Sequence, residues 1–483
     1  RDNTCISYLF FMRRLCFMVK KRFLWGNSVS SMQTEGAWNI AGKGPSVYDI
    51  KQASQEQGDF KIAIDSYHKY KEDFVLMKHA GMNAYRFQIS WSRVIPDGDG
   101  AVNEQGLKFY EQFIDDLIVQ DITPIVCLYH FDMPLSLAQR FNGLISDHVR
   151  EAFVRFAKIV IDKFAKKVPY WIPINEQNCM TFAEGFGNSG YLVGEQTLTE
   201  LYKIANNSLI AYVEIADYIH HFSNLKVGGM VAYQEMYPAS QLPNDVMYTR
   251  KAMEFINEDF LSFFATGKRS PEVIKYMQKH GFTQLLDELE QAVLNYPNIT
   301  SDFLAFSYYY SLVIDSNLID NKRAPNTFMS DGHIANVNLK TSDFGWQIDA
   351  IGFRNTITKM HNRYNLPILA AENGIGAIEH YDGKNMINDD YRIAYHQEHI
   401  NEMCKAIEID GANVIGYLGW GLIDIPSSKG NVEKRYGLVY VNRTNKDTKD
   451  LKRIPKKSYF WFKKFIAEKD TQLSQKGEVY NDD

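Results

Sequence analysis

Eight short apolar runs recur from Phe23 to Leu422, separated by long amphipathic stretches: "FLWGNSV", "AYRFQIS", "TPIVCLYHF", "YWIPINE", "KVGGMVA", "DFLAFSYYY", "LPILAAENG" and "VIGYLGWGL". The runs are apolar throughout rather than alternating, the pattern of parallel strands covered on both faces. Helices are predicted between them, among others over "HKYKEDFVLMKHAG" (68–81, closed by Gly81), "DHVREAFVRFAKIVIDKFAKK" (147–167) and "DYRIAYHQEHINEMCKAIEIDG" (390–411). Strand-then-helix repetition leaves a doubly wound open sheet or a closed barrel. The nucleotide-binding open sheet needs G-x-G-x-x-G after its first strand, where this chain reads "WGNSVSSMQTEG". Eight units therefore predict an α/β fold, a single (β/α)8 TIM barrel whose active site lies at the C-terminal ends of the strands.

Of the 483 residues, 45% are hydrophobic and 23% charged, enough to bury a large core. The net charge of -5, with Lys and Arg interspersed among Asp and Glu, offers no basic field for a polyphosphate backbone, so nucleic acid is not expected as a partner. Five scattered cysteines (Cys5, Cys16, Cys127, Cys179, Cys404), none in C-x-x-C spacing, argue against a disulfide framework or zinc knuckle and fit a reducing cytoplasm. The N-terminal "YLFFMRRLCFMVKKRFLWG" has two arginines inside its apolar run and no small-residue cleavage site, so it is read as neither signal peptide nor membrane span. Met18 directly precedes "VKKRFLWG"; residues 1–17 are read as an N-terminal extension of uncertain origin and 18–483 as one domain.

The predicted strand ends carry Gln33, Arg86, His130, Asn175, Glu176, Tyr309, Glu372 and Trp420. Two of them place an acid beside an asparagine, "INEQN" and "AENG". Either Glu alone is equally well a core partner of an Arg or a neighbour of a helix cap. Two in the mouth of one barrel suit glycoside hydrolysis, with one carboxyl as acid/base and the other as nucleophile, retaining configuration at a separation of about 5 Å. The pair must then differ in pKa. Arg86 and Tyr309 are expected to lower that of the ionised partner, although Arg86 alone also reads as a salt bridge at the barrel mouth. Trp346 and Trp420 can stack on a sugar face or simply fill core. His396 and His399 form H-x-x-H without the further ligand of a metal site, and "AGKGPS" (41–46) lacks the spacing of a phosphate loop.

The segments "FLWGNSVSSMQTEGAW", "KEDFVLMKHAGMNAYRFQISWSRVIP", "YHFDMP", "INEQN", "AENG" and "KRYGLVYV" resemble, in order, the retaining β-glycosidases of glycoside hydrolase family one, over about Phe23 to Ile466. The resemblance implies a double displacement without cofactor or metal. It makes Glu176 the acid/base and Glu372 the nucleophile, with Arg86 and Tyr309 contacting the nucleophile. Gln33, His130 and Asn175 match residues that bind sugar hydroxyls, and Trp420 matches the tryptophan beneath the glycone. The chain departs from the common pattern at Gln177 (often Pro), Ala371 (often Thr), Gln88 (usually Ser) and Phe131 (often Trp or Tyr), none of them a reacting group.

One further departure concerns charge. Members acting on plain sugars carry Glu-Trp where this chain has Ser427 and Ser428. A carboxylate there would repel a phosphate, whereas a hydroxyl donates to it. Lys434 and Tyr436 follow in "KGNVEKRYG", alone readable as a solvated charge run; Ser427, Lys434 and Tyr436 together resemble the phosphate pocket of the family's 6-phospho-β-glycosidases. Phosphogalactosidases typically have Trp at the position of Ser428, so the resemblance favours a 6-phospho-β-glucosidase. It implies a phosphorylated β-glucoside as small-molecule partner and a bacterial cytoplasmic enzyme acting after a phosphotransferase system. An ordinary β-glucosidase, a 6-phospho-β-galactosidase and a non-catalytic sugar-binding barrel remain as alternatives, and a homo-oligomer is compatible with each.

Overall fold

The eight apolar runs form eight parallel strands: β1 (Leu24–Ser28), β2 (Ala84–Gln88), β3 (Thr123–Tyr129), β4 (Tyr170–Ile174), β5 (Lys226–Ala232), β6 (Phe303–Tyr308), β7 (Ile368–Asn373) and β8 (Val414–Trp420). The structure, a computed structural model, describes residues 22–476; the extension read at residues 1–17 lies outside them. Each strand pairs with the next in sequence, and β8 closes on β1 in the register Leu24↔Gly416 to Ser28↔Trp420. The predicted TIM barrel is thus the observed fold, with strands buried along nearly their whole length because helices cover the outside.

The covering helices are α1 (Ser66–His79), α2 (Glu104–Val119), α3 (Asp147–Phe164), α4 (Leu198–His220), α5 (Asp259–Thr266), α6 (Ala350–Tyr364), α7 (Asp390–Glu408) and α8 (Lys457–Lys476). In α3, Val149, Phe153, Phe156, Val160 and Phe164 fall on one face and are buried, each such side chain contributing about 1.5–3 kcal/mol. Past α1, Gly81 takes φ +81°, the left-handed turn that a glycine makes without strain. No helix among the described residues is long and apolar enough to cross a membrane.

The barrel interior is filled by an apolar cluster to which every strand contributes: Leu24, Ala84, Ile125, Cys127, Ile172, Met230, Phe303, Ala305, Leu369, Ala371 and Leu418. A separate, larger core lies between barrel and helices. His396 and His399, the H-x-x-H pair on α7, are buried there against Tyr417 and the Tyr395 carbonyl, and burial holds them at about 3 and about 4. In "AGKGPS", Lys43 bonds Asp49 at 2.6 Å and the turn is closed by Ser46.

Candidate active site

Arg86 lies within β2, His130 directly follows β3, Asn175 and Glu176 follow β4, Tyr309 follows β6, Glu372 is the penultimate residue of β7 and Trp420 the last of β8. All are therefore at the C-terminal mouth. Strand period alone does not put Glu372 there. Ala371 already faces the barrel interior, so strict alternation would turn Glu372 toward the helices. The pairing of β7 shifts register between Ala370 and Glu372 on the β6 side and between Ala370 and Asn373 on the β8 side. This bulge turns a second consecutive residue inward. Asn373 faces out and anchors the strand end through the Tyr308 carbonyl at 2.7 Å and the hydroxyls of Tyr395 and Tyr417.

Inside, Arg86 donates through Nη1 to Glu372 Oε1 at 2.5 Å and through Nη2 to Asn175 Oδ1 at 2.5 Å, and is wholly buried. Tyr309 donates to the other oxygen of Glu372 at 2.8 Å. The Asn175 amide meets His130 Nε2 at 3.1 Å, and the His130 ring stacks on Trp420 with centroids 5.7 Å apart. Burial, together with the nearby Arg86 charge, keeps His130 neutral. Glu176 adopts φ +41°, a left-handed conformation uncommon for a residue with a side chain and one that recurs at active sites. Its carboxyl accepts a hydrogen bond from Ser307, which is the register partner of Glu372 on β6.

The two carboxyls are in different environments. Burial, and next the charge of Glu372, push Glu176 up to about 8, against the pull of Ser307 and the more distant Arg86. Burial also raises Glu372, while Arg86 and Tyr309 pull it back. The lowering expected from those two residues is real but is outweighed by desolvation, so Glu372 sits above rather than below the usual carboxylate range. The directly paired Glu372 is nonetheless the acid with a cation in contact, and among the described residues Glu176 has none.

Gln33 lies on the short helical turn after β1, donating to the Pro426 carbonyl at 2.7 Å and accepting from Ser30 at 2.5 Å. It thereby touches the β8–α8 segment that carries Ser427, Lys434 and Tyr436. Ser427 closes a turn, its hydroxyl accepting from the Asn431 N–H at 3.0 Å. Lys434 is only 9% exposed, and its ammonium stands 3.5 Å from the centre of the Trp346 ring, 4.6 Å from Phe344 and 5.4 Å from Tyr436. No carboxylate among the described residues balances it; burial, then the neighbouring Lys429, lower it to about 8. Burial, then the charge of Glu372, raise the Tyr436 phenol. Trp346 itself packs against Tyr309 and Tyr310 at 5.5 and 5.2 Å, so Lys434 and Tyr309, which bonds Glu372, touch one indole.

Sequence reasoning missed Ser307 and Phe344. Ser307 follows Phe303 and Ala305 at the inward period of β6, and Phe344 precedes Trp346 by two, so spacing carried a signal for both. It also missed a buried charge network behind the segment. Lys456 bonds Glu379 at 2.5 Å and Asp424 at 2.9 Å, and Arg392 bonds Glu379 at 2.8 Å and Asp389 at 3.1 Å. Despite burial, Lys456 and Arg392 hold Glu379 at about 2. Among the described residues no group of three or more His, Cys, Asp or Glu side chains is arranged to hold a metal ion.

Compared with known proteins, residues 17–471 match the model of Glycosyl hydrolase family 1. The chain is 34% identical over 467 residues to the aryl-phospho-beta-D-glucosidase BglC of Bacillus subtilis, spanning 92% of this chain and 96% of that protein. To the phospho-cellobiase of Klebsiella oxytoca it is 33% identical over 469 residues, spanning 94% and 98%. Among solved structures, a family 1 β-glucosidase from Thermotoga maritima superposes with a TM-score of 0.81 at 26% identity, covering 92% of this chain and 98% of that one.

Proposed function

This chain belongs to glycosyl hydrolase family 1, and from that premise we propose that it hydrolyses β-linked 6-phosphoglucosides to glucose 6-phosphate and the aglycone with retention of configuration. The observation that carries the substrate class is the buried Lys434 ammonium, without a carboxylate partner among the described residues, set against Trp346 beside Tyr436. An unpaired buried cation costs stability unless something anionic completes it. A sugar phosphate supplies that charge, with Ser427 and Tyr436 as hydroxyl donors. Relatives named for phospho-β-glucosides support the same reading.

In this reading Glu372 attacks the anomeric carbon while protonated Glu176 gives its proton to the leaving oxygen, and water then displaces Glu372 as Glu176 takes the water's proton. Ester formation removes the negative charge from Glu372. That charge is part of what raises Glu176, so its loss makes Glu176 a stronger acid, suited to act as the base in the second step. Arg86 and Tyr309 stabilise the Glu372 carboxylate as it departs. Asn175, His130, Gln33 and Trp420 bind the glycone, Trp346 helps frame the phosphate site, and Ser428 in place of a bulky residue favours glucose over galactose. We place the enzyme in a bacterial cytoplasm, with residues 18–483 as one catalytic unit. Following p-nitrophenyl β-glucoside 6-phosphate by proton NMR tests the proposal: β-glucose 6-phosphate as first product supports it, and an α product or no turnover refutes it.

A further inference from the structure

Beyond β7, "ENGIGAIE" continues as an extension in which Ala377–Ile378 pair antiparallel with Lys434–Arg435. The Lys434 side chain crosses this extension at Gly376. A Cβ on Gly376 would lie 2.5 Å from Lys434 Cε, 2.8 Å from Cγ and 3.3 Å from Cδ. Gly376 is not among the residues with positive φ, so its backbone does not demand glycine. What its missing side chain provides is passage for the lysine. The crossing is also fastened. Arg392 donates to the carbonyls of Ile375 at 2.6 Å, Tyr436 at 2.7 Å and Arg435 at 3.1 Å, binding both strands of the ribbon from behind. With the ribbon held, an added methyl group can be relieved only by moving Lys434.

We propose that Gly376 is a specificity-determining residue: by lacking a side chain it lets Lys434 cross the extension of the nucleophile strand and present its ammonium at the Trp346 ring. The inference rests on the phosphate reading above and adds how the cation is set in register with Glu372, four residues upstream on the same strand extension.

The test is a double-mutant cycle with Gly376→Ala and Lys434→Ala, read as the ratio of kcat/KM for p-nitrophenyl β-glucoside 6-phosphate to that for p-nitrophenyl β-glucoside. Gly376→Ala is expected to lower the ratio about tenfold or more, through KM of the phosphorylated substrate, as expected for loss of one charge-assisted contact. In the Lys434→Ala background it is expected to change the ratio by less than about twofold, since the two residues act as one unit. An unchanged ratio in the single variant, or additive losses in the double, overturns the inference. Should Gly376→Ala fail to fold, Lys434→Ala is expected to restore folding by removing the clash, and a double variant that stays unfolded also overturns it. Wild-type preference for the plain glucoside would overturn the functional reading and this inference together, whereas preference for the phosphate with an additive cycle overturns this inference alone.

Discussion

Lys434→Met removes the ammonium and keeps the unbranched side chain as far as Cε, so it separates what the charge does for binding from what it does to stability. In the folded chain the ammonium titrates near 8 instead of 10.5, a cost of about 3 kcal/mol for holding it charged at pH 7. The cation–π contact with Trp346 at 3.5 Å returns about 1–2 kcal/mol. A net penalty of about 1–2 kcal/mol remains, and methionine relieves it, raising Tm by about 1–3 °C. The sign with pH follows from the lowered value. Between pH about 8 and 10.5 the unfolded chain binds the extra proton, so wild-type stability rises with pH across that window and the gap to the variant closes. Binding moves the opposite way: the lost ammonium–phosphate contact, about 1.5–3 kcal/mol, raises KM for an aryl glucoside 6-phosphate about 10- to 100-fold. Thermal melts from pH 7 to 10 and initial rates on the phosphorylated substrate read both effects. A variant with lower Tm and unchanged KM would refute the reasoning, because Lys434 would then be a packing element.

Glu372→Ala is expected to reduce turnover on the order of 10⁴-fold or more, and activity near wild type would rule out Glu372 as the nucleophile. Glu176 must be protonated to act as an acid, so kcat/KM is expected to fall as pH rises through about 8. Ser307→Ala, which removes a donor that favours the ionised form, should move that limb to higher pH, and a shift downward would contradict the assignment. Because folding raises the Glu176 value, the unfolded chain ionises between pH about 4.5 and about 8 while the folded chain keeps the proton, so stability falls with pH across that window; Glu176→Gln should therefore gain Tm over wild type at pH 8 and show no gain at pH 4.5. Arg86→Met leaves a buried carboxylate without its cation and is expected to cost about 3–5 kcal/mol in chemical denaturation, along with most activity.

The barrel was legible because its strands are covered on both sides: runs such as "TPIVCLYHF" and "VIGYLGWGL" admit no amphipathic reading, and the observed strands fall within the predicted runs. The mouth residues were legible as polar groups at the ends of those runs. What the sequence concealed is local geometry. Periodicity puts Ala371 and Glu372 on opposite faces, and the bulge that brings both inward is written in pairing register, which one sequence does not display. The balance on Glu372 was likewise hidden, since Arg86 and Tyr309 can be named from motifs but the larger cost of burial depends on packing depth. Trp346 reads from sequence as an aromatic for stacking on sugar; its contact with Lys434 arises only when the β6–α6 and β8–α8 loops meet.

The central claim is that an anion on the sugar selects the substrate, and the ratio of kcat/KM for p-nitrophenyl β-glucoside 6-phosphate to that for p-nitrophenyl β-glucoside, measured on the wild-type protein at pH 7, tests it most directly. The buried Lys434 ammonium beside Trp346 and Tyr436 is expected to give a ratio well above one, on the order of tenfold or more for a single charge-assisted contact. A ratio below one would contradict the claim and leave an ordinary β-glucosidase.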